Sequence, residues 1–186
     1  MAATAVSKKA WTERDLELLP QNGYKNELLD GKLIMSPVHA NHGVICVRLS
    51  SLLFEFVQRR KLGQVYDSST GFRLTERVLL SPDISFVSRA TARRIFVGPD
   101  KFLFGAPDLA VEVISPIDRL KEVYRKLDLY FEHGVRLAWL VDWKKEQVHI
   151  YTSDSIAALT KSTDTLTGGE VLTGFKCRLG RIFGAA

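Results

Sequence analysis

The chain has 186 residues, 46% of them hydrophobic and 25% charged, which is typical of a folded globular protein and excludes a disordered chain. Its length suits a single domain with a full hydrophobic core. The net charge of +5 is compatible with a nucleic-acid partner and equally with an ordinary basic surface, so charge alone assigns no function.

The sequence gives no signal for export or for insertion into a membrane. Its start, "MAATAVSKKAW", lacks the apolar run of a signal peptide, and no stretch approaches the roughly 20 apolar residues that span a bilayer. Cys46 and Cys177 lie far apart without CxxC spacing, which argues against a zinc site and favours reduced thiols. We therefore expect a cytoplasmic protein with a flexible tail over residues 1–10 and one domain over residues 11–186.

The first half of the chain predicts a helix, a hairpin and a long helix. Thr12 is a candidate N-cap with Asp15 three residues on, and Asp30-Gly31 lies between two short apolar runs, a strong hairpin signal. Residues 41–63 have helical apolar spacing, with Gly63 expected at the C′ position. Strand-like runs follow, "QVYDS", "GFRL", "RVLL" and "DISFV", and then a basic segment compatible with a helix, "RATARRIF".

The second half predicts a central strand, a helix and further strands. "LAVEVI", residues 109–114, is apolar on both faces, as expected of a strand that is covered on both sides. The next helix is expected to end at Gly134 and to bury one stripe, formed by Leu120, Tyr124, Leu127 and Phe131. Two strands follow, "VRLAWLVD" and "QVHIYTS". This order indicates an α/β or α+β fold in which helices flank a mixed β-sheet.

Two acids interrupt the apolar segment "PDLAVEVISP". Asp108 and Glu112 have the same parity along a strand, and an unpaired buried carboxylate is costly. Asp83 opens another strand-like run, and two carboxylates on adjacent strands can share one Mg²⁺. Lys126 on the following helix completes an acid, acid and lysine set for metal-assisted hydrolysis of phosphodiesters. Spacing alone makes this a weak signal, because the PD…(D/E)xK motif requires a lysine where the chain has Ile114.

Longer stretches resemble the Uma2 family, a former domain of unknown function assigned to the PD-(D/E)XK, restriction-endonuclease-like superfamily. The resemblance runs from about residue 24 to 151 and rests on "YKNELLDGKLIMSP", "SPDISFV", "GAPDLAVEVISP", "RKLDLY" and "HGVRLAWLVD", with His42 after the first. It implies a restriction-endonuclease-like core. It also implies that the lysine has moved to the following helix, as Lys126, with Tyr130 four residues beyond. The chain departs from the family at Glu122, where the family often has Asp.

The resemblance implies further site residues, each with an alternative. Glu27 is implied as an auxiliary of the metal site, or it is a strand acid that faces solvent. His42 contacts a phosphate or a water, or it lies on the surface at a helix start. We expect Asp108 to start its strand and order a loop rather than bind metal, and Tyr130 to pack rather than react.

The sequence thus favours a metal-dependent nuclease with nucleic acid, and specifically DNA, as its expected substrate. Asp83, Glu112 and the carbonyl of Val113 would hold Mg²⁺ or Mn²⁺, and Lys126 would assist the attack of water on phosphorus. The main alternative is a non-catalytic module of the same fold that binds nucleic acid or a protein. A hydrolase of small phosphoesters is a third interpretation.

A homodimer is also expected, because a two-fold axis presents one site to each strand of a DNA duplex. Phe102, Leu103 and Phe104 are three consecutive large apolar residues in a loop-like stretch. Such residues rarely stay solvated. They either supply the dimer interface or pack into the core of their own chain.

Overall fold

The computed structural model describes residues 10–19, 25–36, 40–99, 101–114 and 120–184. Its helices are α1 Glu13–Glu17, α2 Ala40–Arg60, α3 Arg89–Ile95, α4 Leu120–Glu132 and α5 Leu179–Phe183. Its strands are β1 Lys25–Leu29, β2 Lys32–Ser36, β3 Gly63–Asp67, β4 Phe72–Thr75, β5 Val78–Leu80, β6 Ile84–Ser88, β7 Leu103–Phe104, β8 Leu109–Ile114, β9 Leu137–Asp142, β10 Gln147–Tyr151, β11 Ile156–Leu159, β12 Thr165–Gly168 and β13 Leu172–Arg178. The predicted mixed α/β fold is confirmed. Of the predicted tail, only Ala10 is among the described residues, so that boundary stays a prediction.

Two β-sheets carry the fold. Sheet 1 has the strand order β2-β1-β5-β4-β7, sheet 2 has the order β11-β10-β9-β8-β6-β3, and β12 pairs with β13 separately. In the middle of sheet 2, β8 runs parallel to β9 and antiparallel to β6. This central place explains the apolar run of β8, because both of its faces are covered.

Side-chain alternation gives sheet 2 two faces with different cores. On one face Leu109, Val111 and Val113 pack with buried residues of α2. On the other face Ala110 packs with buried residues of α4 and with residues of sheet 1. Glu112 has the parity of Ala110, so its carboxylate is directed towards α4 and sheet 1.

The N-terminal elements form where their turn and cap residues predict. Thr12 caps α1 in a reciprocal capping box with Asp15. The β1–β2 hairpin turns at Asp30 and Gly31, whose φ angles of 53° and 75° are the positive values that a two-residue turn of this kind requires. This hairpin places β1 beside β5 in sheet 1.

The end of α2 differs from the prediction. The helix ends at Arg60, and Lys61, with φ of 52°, takes the left-handed position expected for Gly63. The N–H of Leu62 closes the turn by donating to the carbonyl of Val57. Gly63 instead begins β3, where a Cβ would lie 2.0 Å from the carbonyl oxygen of Val87. The glycine is therefore explained by close approach of two strands rather than by helix termination.

By length and composition, α2 is apolar enough to cross a membrane, against the expectation that no stretch would be. One face of the helix packs into the core of sheet 2 through Ile45, Leu49, Leu53 and Val57. A helix that packs one face into a protein core can have the same apolar composition as a membrane-spanning helix, so composition alone does not distinguish the two.

The buried stripe of α4 also differs from the prediction. Leu120 and Tyr124 are exposed, at 51% and 47%. The buried side chains of the helix are Val123, Lys126, Leu127, Leu129 and Tyr130. The expected end holds, since Gly134 follows the helix with φ of 95°. The stripe is rotated so that a lysine enters the core side of the helix.

The apolar run 102–104 divides between the core and the surface. Leu103 is buried with Phe72 and Ile95, whereas Phe104 is 43% exposed with the Arg73 guanidinium 4.3 Å above its ring. Phe102 is partly buried against Gly71 and lines a cleft of about 500 Å³. Packing into the chain's own core thus accounts for one of the three residues.

Candidate active site

Asp83, directly before β6, and Glu112, on β8, lie opposite each other in sheet 2. Strands β6 and β8 pair with Ile84 opposite Val111, and the same register continued by one residue places Asp83 opposite Glu112. Opposite residues of antiparallel strands direct their side chains to the same face. Both side chains are buried. Two carboxylates therefore enter the same interior region, between sheet 2 and α4.

Val113 contributes its backbone at the same place. Its N–H donates to Oδ2 of Asp83 at 2.8 Å. The register places Val113 opposite Pro82, which has no N–H to donate. In an extended strand the N–H and C=O of one residue point to the same side, so the Val113 carbonyl also faces the β6 side of β8, past the end of β6.

Helix α4 and strand β1 bring a lysine and a third acid to the cluster. Lys126 Nζ donates to Glu27 Oε2 at 2.5 Å and to Glu112 Oε2 at 3.4 Å. Glu27 is fully buried, and its Oε1 accepts the Ser81 N–H at 2.8 Å. The interpretation of Glu27 as an acid facing solvent is therefore wrong, and Lys126 is buried as well.

Tyr130, one turn after Lys126, fixes the other oxygen of Glu112. Its hydroxyl donates to Glu112 Oε1 at 2.7 Å, and the side chain is fully buried. Burial and the nearby carboxylates raise the pKa of the Tyr130 hydroxyl well above its usual range, so it remains a donor at neutral pH. Tyr130 thus packs, as expected, and also orients Glu112.

Asp83 is held by two cationic side chains. Lys25 Nζ donates to Oδ1 at 2.9 Å, and His42 Nε2 lies 3.1 Å from Oδ2. His42 is in the first turn of α2, and its Nδ1 is 3.5 Å from Cys46 Sγ. His42 is therefore an inward-facing residue of the cluster rather than a surface residue at a helix start.

The charges shift one another's protonation. Burial alone would lower the pKa of His42, but hydrogen bonds to Asp83 and Cys46 raise it to about 10, so the ring is an imidazolium at neutral pH. Burial would raise the pKa of Asp83, yet Lys25 and His42 hold it well below its usual range. The pKa of Glu27 would also be raised by burial, but Lys126 and Lys25 lower it below its usual value.

Glu112 behaves differently from the other two acids. Burial is the largest effect and raises its pKa, and repulsion from Asp83 and Glu27 adds to the rise, although Lys126 and Lys25 partly offset it. A raised pKa on one of several close carboxylates is the result expected when no divalent ion neutralises them.

The donor set fits a hard divalent cation. Among the described residues no three His, Cys, Asp or Glu side chains form a ready-made metal cage. Mg²⁺ does not need one, since it is usually held by one or two carboxylates and completes its shell with water. Asp83 and Glu112 are directed to one face and supply carboxylate oxygens of that kind, and the backbone of Val113 contacts Asp83 at the same place.

Asp108 does not join this cluster. Its carboxylate accepts from the Ser88 N–H at 2.7 Å, the Thr91 hydroxyl at 3.0 Å and Arg136 Nη2 at 2.7 Å. These bonds tie the start of β8 to the start of α3, where Ser88 is the N-cap. Asp108 therefore orders a junction of the fold.

Lys25 is the member of the cluster that the sequence reasoning missed. Strand parity could have found it, because Lys25 and Glu27 alternate onto the same face of β1. A lysine at the start of a predicted strand is usually solvated, however, and nothing in the local sequence of β1 indicates its partner Asp83, 58 residues away.

The chain resembles known proteins in family and in fold. The model of the Uma2 family, described as "putative restriction endonuclease", matches residues 13–180. A crystal structure of a putative nuclease belonging to DUF820 from Anabaena variabilis ATCC 29413 is similar, with a TM-score of 0.79 and 18% identity over 93% of this chain and 97% of that chain. At this identity the likeness shows the fold alone. No curated protein matches the chain significantly.

Proposed function

The chain belongs to the Uma2 family of restriction-endonuclease-like proteins, and from that premise we propose that it is a metal-dependent nuclease that hydrolyses phosphodiester bonds of DNA. The observation that carries the proposal is the placement of Asp83 opposite Glu112 with Lys126 Nζ 3.4 Å from Glu112 Oε2. Two acids and a lysine at one buried point match the needs of phosphodiester hydrolysis, which are charge neutralisation and a positioned water.

Each side chain has a distinct part in this mechanism. Asp83, Glu112 and the Val113 carbonyl would hold Mg²⁺ or Mn²⁺, which when bound supplies positive charge beside the phosphate and activates a water. Lys126 donates hydrogen bonds from an ammonium that stays charged, because attraction to Glu112 and Glu27 raises its pKa despite burial. It can stabilise negative charge that develops on the phosphate. Tyr130 orients Glu112, and Glu27 orients Lys126.

Exposed basic residues support DNA as the substrate. Arg59-Arg60-Lys61, Arg93-Arg94 and Lys144-Lys145 lie at the surface. Such residues can contact a phosphate backbone and release counterions. We further propose that the protein acts in the cytoplasm as a homodimer, so that one site faces each strand of the duplex.

The test is cleavage of supercoiled plasmid with Mg²⁺, with Mn²⁺ and with EDTA. We expect nicked or linear product with either metal, none with EDTA, and a loss of at least about 100-fold in rate for Asp83→Asn, because one ligand and its charge are removed. Asp154→Asn, at an exposed acid remote in sequence, is the matched control and should cleave like the wild type. Cleavage by Asp83→Asn at the wild-type rate would overturn the proposal.

A non-catalytic DNA-binding module is the second candidate, and one observation favours it. Every carboxylate oxygen of Asp83, Glu112 and Glu27 already has a protein donor, so the cluster is satisfied without an ion. This alternative predicts salt-dependent binding of labelled duplex DNA, measured by fluorescence anisotropy, with no cleavage under any metal condition.

A further inference from the structure

The Lys25 ammonium has a special place among the three buried carboxylates. It donates to Asp83 Oδ1 at 2.9 Å, and its side chain is only 10% exposed. Burial lowers its pKa, but attraction to Asp83, Glu27 and Glu112 outweighs burial and raises the pKa above its usual value. The ammonium is therefore charged, and it occupies an oxygen of the acid that is proposed to bind the metal.

The other two cations of the cluster make different contacts. The Lys126 ammonium lies between Glu27 and Glu112. His42 bonds to Oδ2 of Asp83, which also accepts the Val113 N–H. Among the described contacts, Lys25 is thus the cation that alone occupies Oδ1 of Asp83.

The cluster already forms buried ion pairs without a metal. Lys25 Nζ pairs with Asp83, and Lys126 Nζ pairs with Glu27 and Glu112. A divalent ion at Asp83 and Glu112 would lie beside the buried Lys25 ammonium, and two positive charges so close together in a buried region repel each other strongly. Metal binding therefore requires that positive charge leaves.

Of the two lysines in the cluster, Lys25 is better placed to move away from its carboxylate. It is the first residue of β1, and its ammonium ends a flexible four-carbon stem with one acid partner among the described contacts. Lys126 lies in the middle of α4 and is held by two glutamates. Withdrawal of Lys25 also frees Oδ1 of Asp83, the oxygen that has no second donor among the described contacts.

We propose that Lys25 is an internal counter-ion that competes with the divalent metal, so that the ion binds only as Lys25 withdraws from Asp83. This inference rests on the proposed function, since it assumes that Asp83 is a metal ligand. The competition weakens the intrinsic metal affinity of the site. It makes the nuclease depend on metal concentration and keeps the metal-free cluster stable.

The test is the affinity for Mn²⁺, measured by isothermal titration calorimetry on the full chain without DNA. Lys25→Met removes the charge and preserves the length of the side chain, and it should bind Mn²⁺ about tenfold or more tightly than the wild type. Lys25→Arg retains the charge and should bind no more tightly than the wild type. Lys32→Met removes an exposed lysine of the same hairpin and should leave the affinity unchanged.

The outcomes separate the two proposals. Equal or weaker Mn²⁺ binding by folded Lys25→Met, with binding by the wild type, overturns the role of Lys25 and leaves the metal site in place. No Mn²⁺ binding by either protein overturns the metal-dependent function itself. Should Lys25→Met fail to fold, NMR of the wild type decides. Without metal, the Lys25 ammonium protons should exchange slowly with water, because the group is buried and bonded to Asp83. Saturating Mg²⁺ should make this exchange fast, and an unchanged exchange rate contradicts the inference.

Discussion

Lys126 bridges Glu27 and Glu112, with its Nζ 2.5 Å and 3.4 Å from the two nearest carboxylate oxygens. The bridge joins sheet 1 to sheet 2 through α4, because Glu27 lies on β1 and Glu112 on β8. A side chain proposed to act on the substrate therefore also holds the two layers of the protein together.

Removal of this ammonium is predicted to destabilise the fold. Lys126→Met leaves two buried carboxylates without their cation, and loss of one partner of a buried pair costs about 3–5 kcal/mol. Urea unfolding at pH 7 in EDTA should give a loss of that order, whereas Lys121→Met on the exposed side of α4 should change stability by less than about 0.5 kcal/mol. Adding Glu27→Gln to Lys126→Met should recover part of the loss, and a loss for Lys126→Met no larger than the control would contradict the bridge.

Gly63 is predicted to tolerate no side chain. In Gly63→Ala the new Cβ would meet the Val87 carbonyl oxygen at 2.0 Å, so β3 and β6 must separate. We expect a loss of about 1–3 kcal/mol in the free energy of unfolding, as for overpacked sites. Gly43→Ala in α2 is the control, because its Cβ would meet nothing within 4 Å, and it should stabilise the protein by about 0.5–1 kcal/mol. Similar stabilities for the two variants would contradict the close approach.

The His42 imidazolium predicts a specific alkaline dependence of the metal-free protein. The folded-state pKa of about 10 lies above the usual value of 6.5 for histidine, so the charged ring contributes stability that is fully present below about pH 6.5. That contribution is lost as the pH rises towards 10. His42→Gln lacks the charge, so its deficit in unfolding free energy should be largest near pH 6 and should shrink up to pH 10. A deficit that is constant over this range would mean that the ring is neutral beside Asp83.

The aromatic side chains of the 102–104 run provide the test of the proposed homodimer. Phe104 is 43% exposed and Phe102 partly buried, while Leu103 is occupied in the core. Light scattering of the wild type at about 10–50 µM, a range typical of weak dimers, should give twice the 20.9-kDa chain mass. The Phe102→Ser, Phe104→Ser double variant should be a folded monomer. A wild-type monomer at these concentrations would remove this interface and leave the active-site proposal unaffected.

Local chemistry made much of the fold predictable. The Asp30-Gly31 turn needs positive φ at both residues, and few sequences other than Asn-Gly or Asp-Gly provide it between apolar runs. The apolar run of β8 is similarly informative, because only a central strand buries every residue from Leu109 to Val113. Features of this kind depend on a few adjacent residues, so they can be predicted without knowledge of the tertiary structure.

Features set by tertiary packing were less predictable. The stripe of α4 was assigned to its apolar residues, but the glutamates of β1 and β8 draw Lys126 inwards and leave Leu120 exposed. Apolar periodicity treats every lysine as a surface residue, so it cannot detect a lysine that is buried in an ion pair. Lys25 was missed for the same reason, since its position is decided by Asp83 on the other sheet.

The cluster draws its members from residue 25 to residue 130, and from both sheets. A ribosome releases the chain from its N-terminus, so the hairpin with Lys25 and Glu27 emerges long before α4 can supply Lys126 and Tyr130. Until that helix docks, Glu112 lacks both of its donors and the acids are not held in one place. The proposed active site is therefore incomplete until synthesis has passed α4 and that helix has packed against β8.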